Sequence, residues 1–348
     1  MWQKNGFGSR LPDIRAHRGA YRLSENHRPI LVALDGSPDS ERALPTALML
    51  ARQWNAPLRL VHVRDPAEDM QTDVRLVDNE GSLSVQSRSG AYLDGLAERL
   101  RNSHPVSVQG ELVLGHSVAG TLRSICGSDA RALVMVRKRR SALARFWWGS
   151  VTDGLVGRLA TPLLLIPDGP AARQRPTKQR RSGFARILVH LDGSNAAQRV
   201  LGNAMALAGA NAVCHLLRVL PLSTLSQPEH GGLGPANDQR NQAWRELHRA
   251  RKTLEDRGIA CTTQVIFDGQ TKGRAILDQA RATQAQVIVV GACHHLLPRW
   301  LRSGVAEHVI REASVPVLLV PADVPADSLS DVRESFQPEV SHVGIHSN

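Results

Sequence analysis

Two long stretches of this chain are near copies of one another, and that duplication restricts its fold more than any other feature. Leu31-Val32-Ala33-Leu34-Asp35-Gly36-Ser37 returns as Leu188-Val189-His190-Leu191-Asp192-Gly193-Ser194. Further along, Thr161-Pro162-Leu163-Leu164-Leu165-Ile166-Pro167 returns as Val315-Pro316-Val317-Leu318-Leu319-Val320-Pro321 at nearly the same offset. Solenoid repeats run to about 20–50 residues, so a period this long is a duplicated domain. A length of 348 residues leaves room for two domains of ordinary size and two tails.

Within each copy, short apolar runs alternate with segments whose apolar residues recur at helical spacing. In the first, Ile30–Leu34 reads as a strand, and Asp35-Gly36-Ser37 supplies a turn and a helix cap. Ala43, Leu44, Ala47, Leu48 and Ala51 then share one face of a helix over Ser40–Trp54. Strands follow at Leu58–Val63, Val106–Leu114, Ala132–Val136 and Pro162–Ile166, separated by helices at Ala91–Asn102, Val118–Cys126 and Gly149–Leu159. The second copy repeats the series, with strands at Ile187–Leu191, Ala212–Val219, Thr263–Phe267, Val287–Val290 and Val317–Val320. Its helices are expected at Ala196–Ala208, Asn241–Arg257, Gly273–Thr283 and Val305–Glu312.

Apolar strands joined by helices imply parallel strands covered on both faces. The expected fold is α/β, two tandem doubly wound domains with a five-stranded parallel sheet in each. The boundaries read as a flexible basic tail over 1–28, a first domain over 29–168 and an exposed basic linker over 169–185. A second domain over 186–322 and a flexible tail over 323–348 complete the chain.

Composition removes several classes of function. With 42% hydrophobic and 22% charged residues the chain is globular. No apolar run nears the roughly 18 residues of a membrane span, so no membrane insertion is expected. Met1–Arg28 has scattered Arg and no apolar core, which argues against a secretory signal. Cys126, Cys214, Cys261 and Cys293 form no CxxC pair, as suits reduced thiols and a cytoplasmic location. Cys293-His294-His295 lacks a zinc-ligand spacing. The net charge of +11 predicts weak, nonspecific polyanion binding. Aromatic residues are only 4%, too few for the stacking surfaces of a dedicated single-strand binder. Neither a nucleophile elbow nor a Walker-type loop is present.

Ligands of doubly wound sheets sit beyond the carboxyl ends of the strands, at the switch point. Two features of each copy fall there. One is the acid that closes the first strand, Asp35 or Asp192. The other is the turn after the fourth strand, which leads into a helix N-terminus whose N–H groups can hold phosphate. The segments Val32–Ser37, Leu60-Val61-His62-Val63 and Gly149-Ser150-Val151 resemble the universal stress protein family. So do Leu188–Ser194, Leu216-Leu217-Arg218-Val219 and Val289-Val290-Gly291 through Gly304. The resemblance covers nearly all of Pro29–Pro167 and Arg186–Pro321.

Nucleotide-binding members of that family carry G-x2-G-x9-G-(S or T) after the fourth strand. The resemblance places nucleotide contacts at Asp35, Val63, Gly149 and Ser150 in the first copy. In the second it places them at Asp192, Val219, Gly291, His294 and Gly304. Both copies depart from the pattern. Val136 and Arg139 replace the two leading glycines of the first, while His294 and Val305 replace the middle glycine and the hydroxyl residue of the second. The second copy therefore keeps more of the backbone freedom a phosphate needs.

The resemblance implies an adenine nucleotide α-hydrolase-like fold and a non-catalytic stress-response or regulatory protein. It further implies an internal pseudo-dimer, with a higher homo-oligomer open. ATP is the candidate ligand, favoured in the second copy, with no metal beyond nucleotide-associated Mg. The alternatives are a basic, nucleic-acid-binding protein and, behind it, a slow ATP hydrolase. Each motif also has a plain structural explanation: Asp35 and Asp192 as turn and cap residues, Gly149-Ser150 as a helix start, and Arg137–Arg140 as a solvated basic loop.

Overall fold

The fold comes from a computed structural model that describes residues 28–65, 85–127, 130–137, 150–168, 183–194, 196–224, 235–269, 271–292 and 304–321. The first unit contributes β1 (Ile30–Leu34), α1 (Leu44–Trp54), β2 (Leu58–Arg64), α2 (Val85–Ser103), β3 (Val108–Leu114), α3 (Val118–Cys126), β4 (Ala132–Arg137), α4 (Ser150–Leu155) and β5 (Leu163–Pro167). The second contributes β6 (Phe184–His190), α5 (Ala197–Leu207), β7 (Ala208–Pro221), α6 (Pro235–Glu255), β8 (Ala260–Asp268), α7 (Lys272–Ala282), β9 (Val287–Ala292), α8 (Val305–Glu312) and β10 (Val317–Pro321).

The strands hydrogen-bond in the order β3-β2-β1-β4-β5-β10-β9-β6-β7-β8. Each unit is thus a five-stranded doubly wound sheet with its first strand between the second and the fourth. Pairing within a unit is parallel. Between the units, β5 and β10 run antiparallel, with Leu164 opposite Leu318 and Leu163 opposite Leu319. Two sheets expected to be separate are therefore one sheet of ten strands.

The strand sequences explain why the sheet is central. Every residue of β4, β5 and β10 is buried, as parallel strands covered on both faces require. One apolar cluster packs α1, α2, α5 and α6 against one face, and a second packs α3, α4, α7 and α8 against the other. Both clusters run through both units. Polar contacts tie the units as well. Gln53 Nε2 donates to the carbonyls of Ala206 and Ala208 at 2.9 and 2.7 Å, and Trp54 Nε1 donates to Ala206 at 2.6 Å. The buried Arg137 reaches from the end of β4 to donate to the Ala313 carbonyl at 3.2 Å, capping the C-terminal end of α8 with positive charge.

Small residues sit where helices touch in both units. A Cβ at Gly154 of α4 would lie 2.5 Å from that of Ala119 in α3. In the second unit a Cβ at Gly273 of α7 would lie 2.7–2.9 Å from His308 of α8. A small residue on at least one helix of each crossing lets the backbones approach.

Several boundaries differ from those expected. β6 begins at Phe184, inside the segment read as linker, because the fully buried Phe184 side chain belongs to the shared core. α4 stops at Leu155, before Leu159, since Gly157 takes a left-handed conformation at φ +70° and ends the helix. α2 starts earlier than expected, at Val85, and β7 extends back to Ala208 directly from α5. Residues 1–27, 169–182 and 323–348, read as tails and linker, lie outside the described residues, as does residue 322.

Candidate functional site

The switch points fall between β1 and β4 and between β6 and β9. At the carboxyl end of β1 the Asp35 carboxylate accepts hydrogen bonds from Ser37 N at 3.0 Å and Ser37 Oγ at 2.6 Å. After β6, Asp192 accepts from Ser194 N at 2.9 Å. The intervening glycines, Gly36 and Gly193, are left-handed at φ +79° and +81°, where a side chain would strain the backbone. Both turns form for a local reason, and both set their Asp at the mouth of the sheet. Burial alone would raise the Asp192 carboxyl. Hydrogen bonds from Ser194 and the charges of His190 and Arg218 outweigh it and hold the group below the usual range.

Val63 and Val219, near the ends of β2 and β7, are buried in the cluster that carries α3, α4, α7 and α8. The residues just before them lie against the turns. His62 Cε1 is 3.6 Å from where a Cβ on Gly36 would stand. In the second unit, Arg218 covers Gly193 so closely that a Cβ there would fall 2.4 Å from Nη2. Its Nη1 donates to the Leu191 carbonyl at 3.0 Å, and the Glu246 carboxylate stands 3.9 Å away.

The fourth-strand end also differs between units. Gly291 lies within β9, beside Val320 of β10. Gly304 is the N-cap of α8, with extended backbone at φ −75°, ψ 148° and no side chain to cap the first turn. α3, by contrast, is capped by Ser117, whose Oγ accepts from Gly120 N at 3.2 Å. In the first unit the equivalent of Gly291 is Val136, which is buried. Ser150 opens α4, whereas Gly149, Arg139 and His294 lie outside the described residues.

The structure thus gathers Asp192, Val219, Gly291 and Gly304 around one end of the second sheet, and Asp35 and Val63 around the first. Sequence reading missed three residues beside the second cluster: His190, Arg218 and Lys272 at the start of α7. Comparing the copies position by position would have shown two of them, because His190 replaces Ala33 and Arg218 replaces His62. Lys272 arrives on a separate helix, so only the fold places it there. Among the described residues, no three His, Cys, Asp or Glu side chains converge to hold a metal, and no helix is long and apolar enough to cross a membrane.

Comparison with known proteins fits this arrangement. The model of the universal stress protein family matches residues 26–167 and again 183–321. The chain belongs to the universal stress protein family. A universal stress protein of Mycobacterium tuberculosis is 26% identical over 296 residues, covering 83% of this chain and 96% of the relative. One of Mycolicibacterium smegmatis is 24% identical over 302 residues, covering 84% and 96%. Among solved structures, a universal stress protein from Archaeoglobus fulgidus superposes with a TM-score of 0.62 at 17% identity, over 84% of this chain and 96% of that one. A Pseudomonas aeruginosa protein of unknown function gives 0.58 at 17% identity, over 89% and 97%. These likenesses extend the shared fold across both units.

Proposed function

We propose that this tandem universal stress protein is a non-catalytic, cytoplasmic stress-response or regulatory module that binds an adenine nucleotide such as ATP, with the second unit as the stronger site. The observation that carries the reading is a glycine, Gly291, at the carboxyl end of β9 beside the β6–β9 switch point, together with an α8 that opens on Gly304 without a side-chain cap. A Cβ on Gly291 would stand 3.8 Å from Val200 of α5, so the glycine keeps that side of the strand end open, and the first-turn N–H groups of α8 supply about 0.3–1 kcal/mol toward a negative charge. Arg218 and Lys272 add two cations beside the same strand ends. Any Mg enters with the nucleotide. In the first unit Val136 and Arg137 fill the corresponding strand end with buried side chains.

A subsidiary reading, weak polyanion binding, draws on the outer face of α6, where Arg245, Arg249 and Lys252 stand exposed. One experiment separates the two. Full-length protein, purified, denatured and examined by mass spectrometry, is expected to release an adenine nucleotide. Release of oligonucleotide instead supports the polyanion reading. A ligand-free protein that also fails to bind added ATP overturns the proposal, and steady ATP turnover above a buffer blank contradicts the non-catalytic assignment.

A further inference from the structure

We propose that His190 is a ligand-contacting residue of the second-unit site, its Nε2 hydrogen-bonding a phosphoryl oxygen of the bound nucleotide. This rests on the nucleotide reading above and names a residue outside the motif positions from which that reading was drawn. His190 is the last residue of β6, in register with Val290 of β9 and Leu217 of β7. Gly291 follows the first of these neighbours, and Val219 lies two residues beyond the second. The imidazole therefore sits at the switch point between the two strands that frame the site. Side chains alternate along a strand, so His190 shares the face of Leu188, which α7 and α8 cover.

The side chain is 4% exposed, and its Nε2 has no hydrogen-bond partner among the described residues. Buried polar atoms are rarely left so, and one that is asks for an explanation. Packing does not provide it, because the first unit closes the same position with the methyl group of Ala33. A ligand does.

The charges around the ring indicate what kind. Asp192 approaches from the turn after β6, Arg218 from β7 and Lys272 from the start of α7. β9 contributes no titratable residue, and α8 carries Glu307 and His308 in its first turn. Burial, with Arg218 and Lys272 adding to it, keeps the imidazole neutral against the pull of Asp192. An anionic phosphate would reverse that balance. Its charge favours the protonated ring, so binding takes a proton onto His190, and Nε2–H donates to the phosphoryl oxygen. Affinity should then rise as pH falls.

The test titrates ATP into full-length protein by calorimetry at pH 5.5 and 7.5, comparing wild type with His190→Gln and Asp192→Ala. The phosphate's own titration is common to all three and cancels. His190→Gln is expected to weaken binding at pH 5.5 roughly tenfold and to flatten the pH dependence. A long-range 1H–15N imidazole spectrum of wild-type protein, which needs no variant, should show the His190 resonance move on ATP addition. Wild-type affinity and pH dependence in His190→Gln, with an unmoved resonance and with binding weakened in Asp192→Ala, would overturn the role of His190 and leave the nucleotide reading standing. Failure of wild-type protein to bind ATP at either pH would overturn both.

Discussion

Leu164→Ala should lower the stability of the whole chain, not of one half, by about 2–5 kcal/mol, the usual range for truncating a fully buried leucine. Leu164 is 0% exposed and faces Leu318 across the only antiparallel pairing among the described strands. Both residues belong to a core cluster that also contains α1 of the first unit and α5 of the second. Removing the side chain opens a cavity at the seam, where neither unit can collapse into it without disturbing the other. Urea unfolding should therefore show one cooperative transition in the wild type and one displaced transition in the variant. Two separate transitions, with only the first-unit transition displaced, would show that the units fold independently and that the seam is a minor contact.

Acid should weaken the fold through His190 before it reaches the carboxylates. Burial pushes the His190 imidazole down to about 4, despite the opposing pull of Asp192. The unfolded chain takes up this proton near pH 6.5, so between the two values the unfolded state binds more protons and stability drops as the pH is lowered. The contribution is fully present above about pH 7, and about 3 kcal/mol of it is gone by pH 4. His215, also lowered by burial and by Arg186, acts in the same direction. Asp192, held low, gives up its contribution only below the usual carboxylate range. His190→Gln, which cannot protonate, should therefore lose less stability than wild type between pH 7 and 4, as read from urea midpoints at each pH. Parallel curves for the two proteins would contradict the burial of a neutral imidazole.

The alternation of strands and helices was legible because each strand is an apolar run closed by turn residues, and each helix repeats its apolar face every three to four positions. The seam was not. Leu163-Leu164-Leu165-Ile166 and Val317-Leu318-Leu319-Val320 satisfy a parallel or an antiparallel neighbour equally well, so the sequences leave the partner open. A hint lay in their lack of any charge, since an edge strand left to solvent is normally blunted. At the site, Asp35 and Asp192 could be placed because an Asp-Gly-Ser turn is local. His190 and Arg218 escaped because family motifs direct attention to positions that agree, whereas these two are positions where the copies disagree. Lys272 was beyond local reasoning, because it reaches the site only through the β8–α7 connection.

On the proposed reading the second sheet end, not the first, holds the nucleotide. The deciding measurement is titration of ATP by calorimetry into full-length Asp35→Ala and Asp192→Ala proteins, each checked for intact fold by circular dichroism. Asp192→Ala should weaken binding roughly tenfold, as expected for loss of a charged hydrogen-bond partner, while Asp35→Ala should bind as the wild type does. Weakened binding in Asp35→Ala with none in Asp192→Ala would place the site in the first unit and contradict the account.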